Sequence, residues 1–368
     1  MVRTPKTLAV MMMGCLLLTS GAAVAGWQTS FTDQGATFTD PTDYYYPTVV
    51  KQGGTYHMWM QAHGGLDDVW YTSSADGKTG WSAPVQCLVG GSAIAGWNTH
   101  PSVVDTGTNF RLYANWSGPR GIDVAEAPYG DPTNWTQLGS DVITRGAGGE
   151  FHQDSASVHT IAQWYDVHVY QYGGQYEAFI ASDFGLHYGV SANGITGWTA
   201  VNSVTNTSPP PPDTTGPPVF QKGAAGEWDS YTMGKPTVIR LADDEYCMWY
   251  GSGKLGDPKA YAAGIGYATS TDGVNWTRDP GNPLFHVTDG TAYRDKRTYT
   301  PWVMLDGSEA RMYFSAEAAT GGADSIGLAT APVGGGPPPE PTSIPEPGAL
   351  SLLALLGLGG MWRRRRRG

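Results

Sequence analysis

Acidic, basic and imidazole side chains recur at a few fixed places along this chain. Asp40 and Asp43, His152 and Asp154, Glu227 and Asp229, and Arg294, Asp295 and Arg297 each stand shortly ahead of an apolar stretch. The stretches themselves open on Tyr46, His100, Asp166, Lys235 and Thr300. Carboxylates, imidazole and guanidinium gathered at one rim suit general acid–base work of the kind that splits a glycosidic bond. One carboxyl group must stay protonated to donate to the leaving oxygen while another is ionised. The candidate catalytic residues are therefore Asp43, Asp166, Glu227 and Asp229. Tyr46, His100, Asp154, Lys235 and Arg297 are candidates for binding substrate. The competing role for any single Asp is to cap a turn. No His or Cys spacing supports zinc, and neither a metal nor a cofactor is expected.

Whether these groups meet depends on the elements that carry them, and those elements repeat. "YPTVVKQGGTYHMWMQAHGG" from Tyr46 is followed by related units from His100, Asp166, Lys235 and Thr300. Each unit is a short apolar strand, a polar or Gly turn, and an alternating strand rich in aromatic residues, which is a hairpin pattern. A third strand and a Trp follow in four units, at Trp81, Trp135, Trp198 and Trp276. Equivalent positions 47, 101, 167, 236 and 301 lie 54, 66, 69 and 65 residues apart. Three to four antiparallel strands at this period predict an all-β fold, a five-bladed β-propeller. Its inner strands would start at one mouth of a central channel and bring the rim residues together.

The fifth unit lacks a closing Trp, and a bare edge strand invites aggregation. The segment Gly26 to Phe38 carries Trp27 and is expected to supply the missing outer strand. The four other tryptophans are expected to pack at equivalent places between third and fourth strands. Cys87 and Cys247 fall in different blades and read as two buried free thiols. Removing Arg3, Lys6 and the five arginines near the C-terminus leaves 15 basic against 33 acidic residues, a body charge of about −18. Nucleic acid and anionic membrane surfaces are excluded as partners on that balance. Fourteen Trp and 20 Tyr suit sugar binding, because flat apolar sugar faces stack on rings, although β-cores use aromatics as well.

The stretch from Glu227 to Phe285, "EWDSYTMGKPTVI…CMWYGS…GIGYATSTDGVNWTRDPGNPLF", resembles a blade of the five-bladed glycoside hydrolases of families 43 and 32, which act on furanosides and related sugars. The resemblance covers residues 27 to 333 as architecture and is close only in this fourth blade. It implies a pocket on the axis, an Asp base from blade one, a pKa-tuning Asp from blade three and a Glu acid from blade four. Asp166 matches the blade-three position. Tyr46 stands where the blade-one Asp would precede Pro47, with Asp43 three residues earlier. Gly234 and Lys235 occupy the place of the blade-four Glu, with Glu227 and Asp229 upstream. "STDGVNW" and "SADGKTGW" differ from sialidase Asp-boxes because Gly directly follows the Asp, and they read as Asp-Gly turns.

Two functions stay open. One is a glycosidase acting on a polysaccharide, with Asp43 or Asp166 as base or tuner and Glu227 or Asp229 as acid. The other is a non-catalytic propeller that binds the exopolysaccharide matrix.

The two ends speak of address. Arg3 and Lys6 precede an apolar stretch from Leu8 to Leu18, and "AVA" at Ala23 to Ala25 offers a signal-peptide cleavage site. Pro345-Glu346-Pro347, an apolar run from Gly348 to Trp362 and Arg363 to Arg367 together resemble the PEP-CTERM sorting signal. As a helix the 15-residue run would span about 22 Å, short of the ~30 Å of a bilayer core. The resemblance implies recognition by an exosortase, transient residence in the inner membrane, and delivery to the cell surface or extracellular matrix. The expected organisation is a signal peptide with its helix (1–25), the propeller (26–333), a Pro/Gly-rich linker (334–344) and the sorting segment with a short hydrophobic helix (345–368).

Overall fold

The computed structural model describes residues 26–62, 67–96, 99–116, 121–144, 166–182, 185–201 and 218–334. The expected signal and sorting segments with their helices, and His152 and Asp154, lie outside these residues. Five sheets, antiparallel except where Leu88–Val89 runs parallel to Asn134–Trp135, surround one axis, so the chain is an all-β five-bladed propeller. Blade one is built from Tyr44–Gln52, Thr55–Ala62 and Asp67–Ser74, and blade two from Ser102–Asp105, Asn109–Ala114, Gly121–Pro128 and Asn134–Thr144. Blade three comprises Val167–Tyr172, Gln175–Ser182 and Gly185–Ser191, and blade four Gly234–Ala242, Glu245–Ser252 and Gly264–Ser270. Blade five comprises Arg297–Asp306, Glu309–Glu317 and Ser325–Pro332. Short outer strands complete blades one, three and four.

The inner strands are stitched into a ring by side chains at one equivalent position. Val103 N donates to Thr48 Oγ1 at 3.3 Å, Val169 N to Ser102 Oγ at 3.0 Å and Val238 N to His168 Nδ1 at 3.2 Å. Thr237 Oγ1 donates to the Pro301 carbonyl at 2.6 Å, and Trp302 Nε1 to that of Val49 at 2.8 Å. Inner strands of different blades cannot pair backbone to backbone at this splay, and these five bonds satisfy groups that would otherwise be buried unpaired. His168 must be neutral to accept. Burial, with Lys235 beside it, pushes its imidazole down to about 3.

Adjacent blades lock through aromatic wedges. The fifth residue of every second strand is aromatic: Trp59, Tyr113, Phe179, Trp249 and Tyr313. Four of them meet the closing Trp of the next blade. Trp135 lies 6.0 Å from Trp59, Trp198 6.3 Å from Tyr113, Trp276 5.7 Å from Phe179, and Trp81 6.3 Å from Tyr313. The tryptophans thus sit at equivalent places against the second strand of the neighbouring blade, and Trp276 also stands 6.3 Å from Tyr246 of its own blade. A ring at a blade's outer edge buries more surface across the interface than within a sheet already covered. Trp27 fills the fifth wedge against Trp249 at 5.7 Å. It stands in a short 3-10 turn, and the following strand, Thr32–Thr39, pairs along Ser325–Pro332 to close blade five. Cys87 and Cys247 are buried free thiols.

The Asp-Gly turns seat in the same interfaces. Asp76 Oδ1 accepts from the backbone of Lys78 and Thr79, while Tyr313 Oη donates to Gly77 O and Arg311 Nη1 to Asp76 O. At Gly77, φ is +67°, and a Cβ would come within 2.6 Å of the Tyr56 ring. Gly77→Ala is expected to lower stability by about 2–4 kcal/mol, read as a shift in urea midpoint.

Candidate functional site

The inner strands of blades one, four and five each carry a Pro one residue after the rim position: Pro47, Pro236 and Pro301. Pro cannot donate to the ladder, and the pairing slips there, between Tyr45 and Thr48, Gly234 and Thr237, and Tyr299 and Trp302. Such bulges re-aim the side chain beside them. Tyr46 and Thr300 take φ of 58° and 55°, unusual for residues with a Cβ. Both are held by one hydroxyl: Ser315 Oγ accepts from Tyr46 N at 2.9 Å and bonds Thr300 Oγ1 at 2.6 Å.

At the mouth this geometry assembles a compact group. The Tyr46 ring stacks on His100, centroids 3.4 Å apart and planes within 9°. His100 Nδ1 pairs with Asp166 Oδ1, and both residues are buried. Lys235 beside them is completely buried. Its Nζ donates to the carbonyls of Pro101 at 2.8 Å, Pro47 at 3.2 Å and Tyr46 at 3.4 Å, and it lies 5.5 Å from the Trp302 ring centre. Burial pushes the lysine down to about 7, with Asp166 opposing the fall.

A second polar group adjoins the first through Tyr45 and Tyr299, whose rings lie 5.2 and 5.7 Å from that of Tyr46. Arg297 Nε meets Glu317 Oε2 at 2.6 Å, and Arg297 Nη1 meets Asp324 Oδ2 at 3.2 Å. Lys296 also pairs with Glu317. The Asp324 backbone N donates to Asp43 Oδ1 at 2.9 Å. Asp324 is 5% exposed. Burial pushes its carboxyl up to about 6 against the pull of Arg297, with Glu317 and Asp43 adding to the rise.

A carboxyl group raised in the folded state binds more protons there than in the unfolded chain, whose Asp titrates near ~3.9. The stability it contributes is full below about pH 4 and is lost as pH rises through about 6. Asp324→Asn is expected to remove about 1–3 kcal/mol of the stability difference between pH 4 and pH 7. Urea titrations at both pH values measure it.

The structure brings Tyr46, His100, Asp166 and Lys235 together on the axis, with Asp43 and Arg297 beside them. It sets Glu227 and Asp229 apart. Asp229 Oδ2 accepts from Arg278 Nε at 2.8 Å and Tyr250 Oη at 3.1 Å, towards the outer strand Trp276–Arg278 of blade four. The turns of 222–231 hold it there, with Glu227 N bonded to Ala224 O and Gly223 N to Asp229 O. Asp40 caps Thr42, Asp295 caps Ala319, and Arg294 is paired with Asp33.

Asp324 is a member of the site that the inner-strand pattern misses. Third strands also begin at the mouth, so an acidic residue just ahead of one, as in "GGADSIGLA", is the signal that points to it.

No family model matches the chain, and no curated protein sequence does. Solved structures share the fold. The structure of BT0996 in an RGII complex is similar with a TM-score of 0.58 and 16% identity, over 84% of this protein and 95% of that one. The catalytic domain of the Coprinopsis cinerea GH62 alpha-L-arabinofuranosidase gives 0.55 and 15%, over 82% and 98%. The Podospora anserina alpha-L-arabinofuranosidase PaAbf62A, solved with cellotriose, gives 0.55 and 14%, over 83% and 97%.

Proposed function

We propose that this chain is an exported glycosidase that takes a polysaccharide at the axial mouth. The observation that carries the reading is the grouping of Asp166, Asp43 and Asp324 around one mouth, on a fold shared with glycoside hydrolases. In this reading Asp324 is the proton donor, because burial keeps it protonated in mildly acidic solution. Asp43 is the base. Asp166, paired with His100 and close to Lys235, is the tuner of the site. Tyr46 offers a ring face, and Arg297 offers donors to sugar hydroxyls. The signal peptide and the PEP-CTERM-like tail would deliver the protein through an exosortase to the cell surface or matrix. The arabinofuranosidase neighbours make furanosidic polymers the first substrates to try.

A second reading, a propeller that binds glycan without cleaving it, draws on Gly234 and Lys235 at the start of blade four. There a buried ammonium stands in place of an acid. The test is hydrolysis and binding of arabinan, xylan, fructan and aryl furanosides by the unmutated chain and by Asp43→Asn and Asp324→Asn. Hydrolysis lost in both variants at unchanged folding supports the first reading. Binding without hydrolysis selects the second, and neither activity on any glycan overturns both.

A further inference from the structure

Away from the axis, the turns of 222–231 and the outer part of blade four enclose a cavity of about 360 Å³. Ligand pockets run from ~300 Å³ upward, so this one suits a single small ring. Trp228 lines it and is half-buried. A Cβ on Gly266 would come within 2.5 Å of the indole and one on Gly264 within 3.1 Å, so it is glycine that gives the ring room against this strand. Asp229, 1% exposed, forms a wall, bonded to Arg278 and Tyr250. Arg278 is itself held over the Phe220 ring at 4.2 Å. That pair cancels in charge and leaves Glu227, Asp279 and Lys222 as the other charged side chains of the lining. Glu227 and Lys222 are exposed.

We propose that this cavity is a second carbohydrate site, distinct from the axial mouth, which seats one uncharged sugar ring of a longer glycan. The apolar sugar face lies on Trp228, while hydroxyl groups donate to Glu227 and accept from Lys222. A sugar presents CH faces and hydroxyls together, and an aromatic ring beside a carboxylate and an ammonium matches both. The residual negative charge of the lining disfavours a uronate.

The cavity and the mouth are joined by the mouth-side loops of blade four. Tyr231 N donates to Gly253 O, Ser252 Oγ bonds Thr232 O, and the chain then enters the inner strand at Gly234. Among the described residues, six large apolar side chains are exposed, and three of them, Tyr231, Leu255 and Tyr261, lie on these loops. Tyr261 stands 6.0 Å from the Arg297 guanidinium at the mouth. These three side chains offer apolar surface to a glycan that reaches both mouth and cavity. The inference rests, for the polymer's other end, on the axial reading above.

The experiment is calorimetric titration with arabinan, xylan, fructan and their trisaccharides. The unmutated chain is compared with the double variant Lys222→Ala/Glu227→Ala, with Trp228→Ala and with His100→Ala. The expected result is two trisaccharides per unmutated chain and one in the double variant, with polymer affinity falling tenfold or more as bivalency is lost. Trp228→Ala should behave likewise if it folds, and the double variant decides if it does not. A single trisaccharide, lost in His100→Ala and kept in the double variant, overturns the second site and leaves the axial reading standing. A single one lost only in the double variant supports the second site and removes the axial reading. Binding of no glycan at all overturns both.

Discussion

Trp27→Ala is expected to cost about 3–5 kcal/mol, and removal of residues 26–39 to leave a chain that no longer closes. Trp27 is 6% exposed and is the fifth member of a ring of aromatic wedges whose other members come from the repeat itself. Its loss opens a cavity beside Trp249, Met312 and Phe314, which pack in the same cluster. Trp249 Nε1 also loses its acceptor if the segment goes, since it donates to Gln28 O at 2.9 Å. Deleting the strand further uncovers the last strand from Ser325 to Thr330 and leaves Arg294, 3% exposed, without Asp33. Arg294 keeps Asp289 at 3.3 Å and the His286 carbonyl, so the loss of Asp33 weakens its pairing without leaving the guanidinium bare. Urea unfolding followed by tryptophan fluorescence, with gel filtration for edge-driven association, reads the effect. A truncated chain with the native midpoint would show that the ring closes by other means.

Asp166→Asn is expected to be the most damaging single change at the mouth. The amide keeps the shape, but the buried His100 Nδ1 loses the carboxyl oxygen it pairs with. Breaking a buried pair costs about 3–5 kcal/mol. Lys235 loses the acidic neighbour that opposes the effect of burial and keeps only its carbonyl acceptors, so the lysine should become neutral more readily in the variant. If the proposed hydrolysis holds, loss of the tuner should lower kcat/KM by about 100-fold or more. Both effects are measured on one sample: circular dichroism fixes the temperature at which the variant is folded, and kinetics are run below it. A variant as stable and as active as the parent would place Asp166 outside the machinery.

The repeat was legible because it is written locally. A rim residue followed by Pro, an aromatic at the fifth place of each second strand, and a Trp after the third recur at nearly constant intervals, and period-2 alternation needs no knowledge of the rest of the chain. The outer strand at Thr32–Thr39 was legible by subtraction, since one wedge and one edge were missing from the fifth unit. The site was legible only in part. His100 and Asp166 are 66 residues apart in sequence and Asp229 and Arg278 are 49 apart, so which carboxylate is paired, and with what, depends on how blades face one another. Asp43 directly precedes its inner strand at Tyr44, whereas Glu227 and Asp229 stand seven and five residues before theirs at Gly234, and the turn between carries them outward. Lys235 reads in sequence as one more rim charge. Its long apolar stem lets the ammonium reach past the rim into carbonyls of two other blades, and no local pattern distinguishes that from a solvated lysine.

The direction of the last strand sets how the molecule can be held. Ser325–Pro332 starts beside Asp324 at the mouth and runs to the opposite face, about 24 Å away at the rise of an antiparallel strand. The chain therefore departs towards its C-terminus from the underside of the disc. Anything fastened there, whether a resin, a fusion partner or a cell envelope, meets the face that bears neither the axial mouth nor the loops over blade four. Tethered by that end, the propeller stands like a dish with its open side turned outward, and a glycan too large to diffuse beneath it could still be reached.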